Sequence, residues 1–363
     1  MTEKLLSDFF LGPLNLKNRV VMAPMTRARA TADHIPTPIM AEYYGSRASC
    51  GLLISEGIAP APAGAGYARM PGIWNQEQLD GWKSVTQAVH EKGGKIAAQI
   101  MHSGRVGHTK NMPQGAEVLG PSATTAPGEM YTDEAGPQPY PEAREMTHGE
   151  VEEAISAYVS AAENAVAAGF DAIELHGANG YLIEQFLAPV TNHRQDQWGG
   201  DFKKRARFVL QIATACAAAI GPEKVGIRLS PLGVFNGIEP WESLADDYIW
   251  LAEELGKLNL VYLHLVDHSS MGAPSVPSDL KQAMRASFQG AFILSGGYDA
   301  EHAEKALQED QGELVAFGRP LIANPDLVER IAQGAAWNEP DFDTFYTPGP
   351  KGYNDYPLLS TGA

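Results

Sequence analysis

Short apolar runs alternate with longer amphipathic stretches along almost the whole chain. Most of these runs are apolar at successive positions, which is typical of strands buried on both faces of a parallel sheet. The pattern predicts eight such strands. They span residues 20–25, 52–55, 95–102, 170–175, 225–229, 260–266, 291–294 and 314–317.

Helical patterns lie between and after these runs. They cover residues 38–49, 76–91, 147–168, a short stretch from 182, 202–220, 241–258, 276–287, 299–308 and 325–333. Thr147 and Glu150 have the TxxE spacing of a capping box, which indicates where the third of these helices begins. Gly221 and Pro222 end the helix at 202–220, because neither residue continues a helix well.

Eight strands that alternate with helices predict a closed (β/α)8 barrel of the TIM type. We expect a single domain over residues 1–363, and a doubly wound open sheet is the alternative. Two apolar pieces on either side of Gly12 and Pro13 predict an N-terminal hairpin. Residues 103–146 are rich in Gly, Pro and Thr, and they predict a long excursion after the third strand, of a kind that often carries function.

Charge and cysteine content narrow the classes of partner. The net charge is −17, and the longest basic run is Lys203–Arg205, so nucleic acid and anionic membranes are not expected partners. Two cysteines, Cys50 and Cys216, cannot build a disulfide framework. The first residues, MTEKLLSDFF, lack the apolar segment of a signal peptide. We expect a cytoplasmic protein that acts on small molecules, as a monomer or a homodimer.

Polar side chains follow the fourth strand, within the stretch GFDAIELHGANGYLIEQFL at residues 169–187. His176, Asn179 and Tyr181 can each hydrogen-bond a small molecule, and His and Tyr can also exchange protons. Because active sites of such barrels lie at the carboxyl ends of the strands, these residues predict one edge of an active site. The alternative is a capped turn with a satisfied histidine.

The last two strands end in glycines, at Gly296, Gly297 and Gly318, and Arg319 follows directly. Barrels of this type commonly bind phosphate at this place, because backbone N–H groups can approach the phosphate oxygens closely. The alternative is a pair of ordinary turns with a surface arginine. Arg228 lies in a strand that looks buried, so it needs either a structural carboxylate or an electron-rich ligand as partner.

Several other chemistries find little support. His102, His176, His264 and His268 all lie near strand ends, but no HExxH motif accompanies them, so a catalytic metal is not expected. The chain has no GxSxG motif for a serine nucleophile. It also has no GxGxxG motif after a strand for a Rossmann nucleotide site.

An ordered set of motifs resembles the Old Yellow Enzyme family of FMN-dependent ene-reductases nearly end to end. The motifs are NRVVMAPMTR, GLLISEG, AAQIMHSGR, ELHGANGYLIEQFL, NHRQDQWGGDFKKRARF, VGIRLSP, ILSGGYD, VAFGRPLIANPDLVERI and TFYTPGPKGYNDYP. The resemblance implies non-covalent FMN, with NADPH or NADH as the reductant. It further implies reduction of the C=C bond of activated alkenes such as enones, maleimides and nitroalkenes, and it extends to nitroesters. Hydride would come from flavin N5 and the proton from Tyr181.

The same resemblance implies individual roles. His176 and Asn179 would donate hydrogen bonds to a carbonyl or nitro oxygen of the substrate. The residues implied to bind the cofactor are Pro24, Met25, Thr26, Gln99, Arg228, Gly296, Gly297, Gly318 and Arg319.

Four further residues, Tyr67, Met101, Asn236 and Tyr346, would line the substrate pocket by the same resemblance. Met101 stands where many relatives have tryptophan, and Asn236 stands where bacterial relatives often have glutamine, so the substrate range is open. Thr26 favours the branch of yeast enzymes and bacterial nitroester reductases.

Two other functions remain as alternatives. One is an FMN barrel that catalyses demethylation or dienoyl-CoA reduction, although such relatives usually carry an Fe–S cluster that two cysteines cannot ligate. The other is a flavin-binding redox sensor without turnover, against which the intact set of His176, Asn179 and Tyr181 argues.

Overall fold

The computed structural model describes residues 2–359, within which the backbone forms fourteen strands and eleven α-helices. The strands are β1 (Phe9–Leu11), β2 (Leu14–Leu16), β3 (Val20–Met22), β4 (Leu52–Ile54), β5 (Ile96–Ile100), β6 (Leu119–Gly120), β7 (Glu129–Thr132), β8 (Gly136–Pro139), β9 (Arg144–Glu145), β10 (Ala172–Gly177), β11 (Val225–Leu229), β12 (Tyr262–Val266), β13 (Ala291–Ser295) and β14 (Leu314–Phe317). The helices are α1 (Pro38–Ser46), α2 (Gln76–His90), α3 (His148–Ala167), α4 (Leu182–Leu187), α5 (Phe202–Arg205), α6 (Arg207–Ile220), α7 (Leu244–Gly256), α8 (Ser278–Ser287), α9 (Ala300–Gln308), α10 (Arg319–Ala323) and α11 (Leu327–Gln333).

Eight parallel strands close into a barrel in the order β3, β4, β5, β10, β11, β12, β13, β14 and back to β3. The predicted (β/α)8 fold is therefore confirmed, and the open-sheet alternative is wrong. β1 and β2 pair antiparallel as the predicted N-terminal hairpin. No helix within residues 2–359 is both long and apolar enough to cross a membrane.

The register of the barrel aligns polar residues from neighbouring strands. Gln99 of β5 pairs with Glu174 of β10, His176 of β10 pairs with Arg228 of β11, and Arg228 pairs with His264 of β12. Since side chains alternate between the two faces of a strand, Glu174 and His176 lie on the same face of β10. The strands thus bring polar groups together at one end of the barrel.

The capping box predicted at the start of α3 is present. Thr147 Oγ1 accepts a hydrogen bond from Glu150 N at 3.2 Å, and Thr147 N donates to the Glu150 carboxylate at 2.7 Å. These contacts satisfy N–H groups that a helix start leaves without partners. At the end of α6, Gly221 has a φ of +93°, a conformation that glycine adopts without strain.

The structure differs from the prediction in two helical regions. The helix expected at 202–220 is interrupted at Ala206, whose ψ of −13° separates α5 from α6. The buried Arg205 side chain, just before this break, donates to Leu187 O at 2.7 Å. The helix α10 was not predicted. The excursion at 103–146 carries two small sheets, β6 with β9 and β7 with β8.

A C-terminal segment, residues 341–357, packs against two buried arginines that follow β3. Arg27 donates to the carbonyl oxygens of Phe345 and Gly352 at 3.1 and 2.7 Å. Arg29 donates to the carbonyl oxygens of Thr344, Phe345, Gly349 and Lys351 at 2.6 to 3.2 Å. These charge-assisted bonds hold the irregular segment in place. Residues 360–363 of the predicted irregular tail lie outside the described residues.

Replacing Arg29 by leucine should destabilise the protein by at least about 2 kcal/mol, because several buried carbonyl groups lose their donor. Urea unfolding would measure this loss, and limited proteolysis should show faster cleavage within residues 341–357. The control is Arg207→Leu, since Arg207 is exposed and donates only to Gln197. Equal destabilisation by both substitutions would contradict the anchoring role of Arg29.

Candidate active site

A cavity of about 1190 Å³ opens at the carboxyl ends of the barrel strands. It brings together every residue predicted for the site except Asn236. The predicted residues that line it are Pro24, Met25, Thr26, Tyr67, Gln99, Met101, His176, Asn179, Tyr181, Arg228, Gly296, Gly297, Gly318, Arg319 and Tyr346. This is the end of a (β/α)8 barrel at which active sites occur.

Arg228 is buried at the base of the cavity and donates no hydrogen bond to any residue within 2–359, where its Nε is buried without a partner. Burial lowers the pKa of Arg228, and Glu174 opposes that shift. A guanidinium cation in such a place favours a ligand with negative or electron-rich atoms. The side chain is therefore suited to hold the polar edge of a cofactor.

Gln99 is oriented by a carboxylate inside the barrel. Gln99 Nε2 donates to Glu174 Oε1 at 2.8 Å, and Glu174 Oε2 lies 2.8 Å from His264 Nδ1. Because the amide nitrogen of Gln99 has this partner, its carbonyl oxygen remains available as an acceptor. Gln99 can thus accept a hydrogen bond from a donor on a ring that lies beside Arg228.

The opposite part of the cavity has the predicted glycines. A Cβ atom on Gly296 would lie 2.3 Å from the carbonyl oxygen of Asp267, so this turn admits only glycine. At Gly318 the nearest atom to a Cβ would be 3.6 Å away, which leaves room for a ligand close to the backbone. Arg319 is exposed and forms no salt bridge with the residues described here. These features are suited to a phosphate group.

Two tyrosines and a histidine border the cavity on the side of β10. Tyr181 Oη lies 2.9 Å from Tyr67 Oη, and the rings of Tyr181 and His176 are 4.9 Å apart. Burial raises the pKa of Tyr181 to about 12, so its hydroxyl stays protonated. Burial, with a smaller effect of Arg228, lowers the pKa of His176 well below its usual value, so the imidazole is neutral.

Asn179 adopts a left-handed backbone conformation, with a φ of +60°. Its backbone N–H donates to Ser230 Oγ at 3.0 Å, and its carbonyl oxygen accepts from Asn236 Nδ2 at 2.7 Å. Its side-chain oxygen lies 2.6 Å from His268 Nε2. These contacts fix the position of Asn179 relative to the cavity.

Asn236 was expected in the substrate pocket, but it does not line the cavity. It supports the backbone of Asn179 instead, and its own carbonyl oxygen accepts a hydrogen bond from Arg105 at 2.8 Å. Its φ of +55° places it in the left-handed region, where asparagine is tolerated better than most residues. The structure thus places the amide beside the backbone of Asn179, and a contact of Asn236 with substrate stays a prediction.

Two other pocket residues have unequal exposure. Met101 is only 1% exposed and packs against Gly57, where a Cβ atom would come within 2.7 Å of the Met101 sulfur. Tyr346 is 63% exposed and belongs to the rim of the cavity. Met101 therefore limits the depth of the cavity, whereas Tyr346 borders its entrance.

Two buried carboxylates that hydrogen-bond residues in and around the cavity were not predicted from the sequence. Glu174 lies inside an apolar run, and its neighbours gave no signal of a buried network. Glu184, which is also buried, accepts hydrogen bonds from Gly180 N at 2.6 Å and from Ser230 Oγ at 3.0 Å. A carboxylate in a short helix directly after a glycine-rich turn was the only available signal for Glu184.

The part of the chain that the structure describes contains no group of three or more His, Cys, Asp or Glu residues that could hold a metal ion. A smaller cavity of about 540 Å³ lies on the outer surface between α3 and α6. It contains none of the predicted residues. The chemistry of the chain is thus concentrated in the cavity at the end of the barrel.

Comparison with known proteins agrees with this geometry. The family model of the NADH:flavin oxidoreductase / NADH oxidase family matches residues 4–338. A probable flavin mononucleotide-dependent alkene reductase from Leishmania infantum is 38% identical over 363 residues, which cover 98% of each chain. A 12-oxophytodienoate reductase 7 from Oryza sativa subsp. japonica is 40% identical over 98% of this chain and 94% of its own.

Solved structures show the same likeness. Morphinone reductase superposes with a TM-score of 0.95 at 43% identity, over 99% of this chain and 97% of its own. The same enzyme has also been solved in complex with tetrahydroNAD. An old yellow enzyme homologue from Zymomonas mobilis superposes with a TM-score of 0.93 at 39% identity, over 98% of this chain and 100% of its own.

Proposed function

The chain belongs to the NADH:flavin oxidoreductase / NADH oxidase family, which includes Old Yellow Enzyme, and we propose that the cavity at its barrel end reduces activated alkenes. It is an FMN-dependent oxidoreductase that uses NAD(P)H. The proposed substrates are enones, maleimides and nitroalkenes, and nitroesters as a further group. The observation that carries the proposal is a buried Arg228 that has no hydrogen-bond partner within residues 2–359 and lies in one cavity with His176, Asn179 and Tyr181.

The residues that line the cavity fit FMN. Arg228 would hold the electron-rich edge of the flavin ring, and Gln99 would accept a hydrogen bond from its N–H group. Gly296, Gly297, Gly318 and Arg319 would hold the phosphate, while Pro24, Met25 and Thr26 would contact the ring from the end of β3. Bound FMN supplies a redox centre that accepts hydride from NAD(P)H and delivers it to the alkene.

His176 and Asn179 would bind the oxygen of the activating group of the substrate. His176 is neutral because burial lowers its pKa, so one ring nitrogen carries a proton that it can donate. Two donors on one oxygen withdraw electron density from the conjugated C=C bond, which prepares the alkene for hydride. The same contacts orient the alkene, since a planar substrate held at one oxygen has few remaining poses.

Tyr181 would supply the proton. Its pKa of about 12 keeps the hydroxyl protonated throughout the neutral range, which a general acid requires. Tyr67, at 2.9 Å from the Tyr181 hydroxyl, orients that hydroxyl at the wall of the cavity. Met101 packs beside both rings, and we propose that it limits the size of group that the pocket accepts.

We further propose that the chain acts as a single domain in the cytoplasm, as a monomer or a homodimer. The N-terminal hairpin and the C-terminal segment both pack on the barrel, which favours one domain. Both cysteines are free and buried, as expected in a reducing compartment.

The purified protein should be yellow and should release FMN in equimolar amount on denaturation. Replacing Arg319 by alanine should weaken FMN binding about tenfold, because the phosphate loses a charged donor. Riboflavin, which lacks the phosphate, should bind both proteins equally well, and Arg207→Ala is the matched surface control. A colourless protein that cannot be reconstituted with FMN would refute the proposed function.

Replacing Tyr181 by phenylalanine should slow alkene reduction by about 10²-fold or more, because the substrate loses its proton donor. The rate of cofactor reduction by NADPH should change little, since that half of the cycle needs no proton from Tyr181. Anaerobic stopped-flow absorbance would measure the two halves separately. Equal slowing of both halves would indicate a structural role for Tyr181.

Replacing Met101 by tryptophan should reduce turnover of bulky β-substituted enones by tenfold or more relative to cyclohexenone, as pocket changes of this size shift discrimination by about 1–3 kcal/mol. Overpacking against Gly57 should also lower stability by about 1–3 kcal/mol. Met101→Leu, which conserves the volume, is the control. The assay compares kcat/KM and product enantiomeric excess. If both are the same in wild type and Met101→Trp, the residue does not shape the pocket.

A further inference from the structure

We propose that His268 is a positioning residue, which holds the side-chain amide of Asn179 so that its N–H group and not its carbonyl oxygen is presented to the substrate. The inference rests on the proposed function and adds a residue to it. His268 follows β12, whereas Asn179 follows β10, so the contact joins two separate strand ends of the barrel. Both residues line the cavity.

The contact determines which end of the Asn179 amide is free. His268 Nε2 lies 2.6 Å from Asn179 Oδ1. An asparagine amide has an acceptor at one end and a donor at the other. With Oδ1 occupied by His268, Nδ2 is left as the free end, and it has no hydrogen-bond partner among residues 2–359. The free end is therefore a donor, as an anionic or carbonyl oxygen requires.

A different tautomer of His268 would reverse this polarity. If Nε2 carries the proton, the ring donates to Asn179 Oδ1 and the amide N–H group stays available. If only Nδ1 carries it, Nε2 becomes an acceptor, the amide turns by 180°, and Asn179 presents its oxygen instead. An oxygen in that place repels the oxygen of a substrate. His268 thus decides whether Asn179 attracts or repels the substrate.

Both partners are otherwise held in place. The Asn179 backbone is bound on both sides, through Ser230 and Asn236. The ring of Phe235 packs edge-on against the His268 ring, with centroids 4.5 Å apart, and His268 O accepts from Met271 N at 2.8 Å. The remaining freedom is the rotation of the amide itself, so a single hydrogen bond can select its orientation.

The His268 ring is neutral in this environment, which makes its tautomer matter. Burial lowers the pKa of His268 to about 4, with smaller contributions from Arg228 and Arg319, while Asp267 opposes them. A neutral ring has one N–H group, and the proposal places it on Nε2 because the facing atom, Asn179 Oδ1 at 2.6 Å, is an acceptor. His268 therefore acts as a donor without adding a charge beside the substrate.

Two amide substitutions separate this role from simple packing. In His268→Gln, the side-chain nitrogen can occupy the place of Nε2 and still donate to Asn179. In His268→Asn, the side-chain nitrogen takes the place of Nδ1 and is too far away to donate to Asn179 Oδ1. We expect His268→Asn to weaken binding of 4-hydroxybenzaldehyde about tenfold and to raise the KM for cyclohexenone, as loss of one such donor implies. His268→Gln should stay within about threefold of the wild type.

The measurements use the FMN-loaded protein. Binding of the phenol 4-hydroxybenzaldehyde is followed by the change in absorbance that it causes. The FMN content is determined for each variant. His268→Leu provides a second loss-of-donor variant if His268→Asn does not fold. In the background of Asn179→Ala, the substitutions at His268 should have no further effect on phenol binding, because the amide that they orient is gone.

Wild-type affinity in His268→Asn and His268→Leu would overturn the inference. So would equal weakening by His268→Asn and His268→Gln, or an effect that persists in Asn179→Ala, since each would indicate packing and not orientation. Failure of the wild-type protein to bind the phenol or reduce cyclohexenone would instead refute the proposed function.

Discussion

Glu174 is a fully buried carboxylate inside the barrel, at the end where the cavity opens. The polar side chains around it are arranged by their contacts with this one group. A buried carboxylate is tolerated only if its oxygens are hydrogen-bonded, and Glu174 meets this condition with Gln99 and His264, both at 2.8 Å. Burial lowers the pKa of Arg228, and the nearby Glu174 raises it. Two groups that face the cofactor position thus depend on one side chain. Since Arg228 still has no hydrogen bond to residues 2–359, the fold holds a cation ready for a ligand.

The fold was predictable because barrel strands are buried on both faces and so appear as continuous apolar runs. Two strands, at 225–229 and 314–317, match the structure residue by residue. The first strand was predicted to run to residue 25 but ends at Met22, because Pro24 and Met25 leave the sheet to line the cavity. The helix at 202–220 was predicted as continuous, since no glycine or proline marks the break at Ala206.

The gathering of the predicted site residues around one cavity was predictable because they sit at strand ends and match family motifs, but their mutual contacts were not. The hydrogen bond between His268 and Asn179 joins residues 89 positions apart in sequence. Asn236 shows the same limit: the family resemblance predicted a place in the substrate pocket, but it did not predict the hydrogen bond from the Asn236 amide to the carbonyl oxygen of Asn179. Such contacts depend on rotamers and loop conformations that no local sequence pattern encodes.

Burial is the largest cause of the separate pKa shifts of the two titratable groups beside the proposed substrate position. It disfavours the charged form of each group, so it lowers the pKa of the His176 imidazole and raises that of the Tyr181 phenol to about 12. A cationic imidazole would be a stronger acid than the phenol and would compete with it for proton transfer. Because His176 is neutral, it can polarise a substrate by hydrogen bonding only, which agrees with the proposed role of Tyr181 as the proton donor. Burial of these side chains therefore supports the proposed division, in which one group polarises the substrate and the other protonates it.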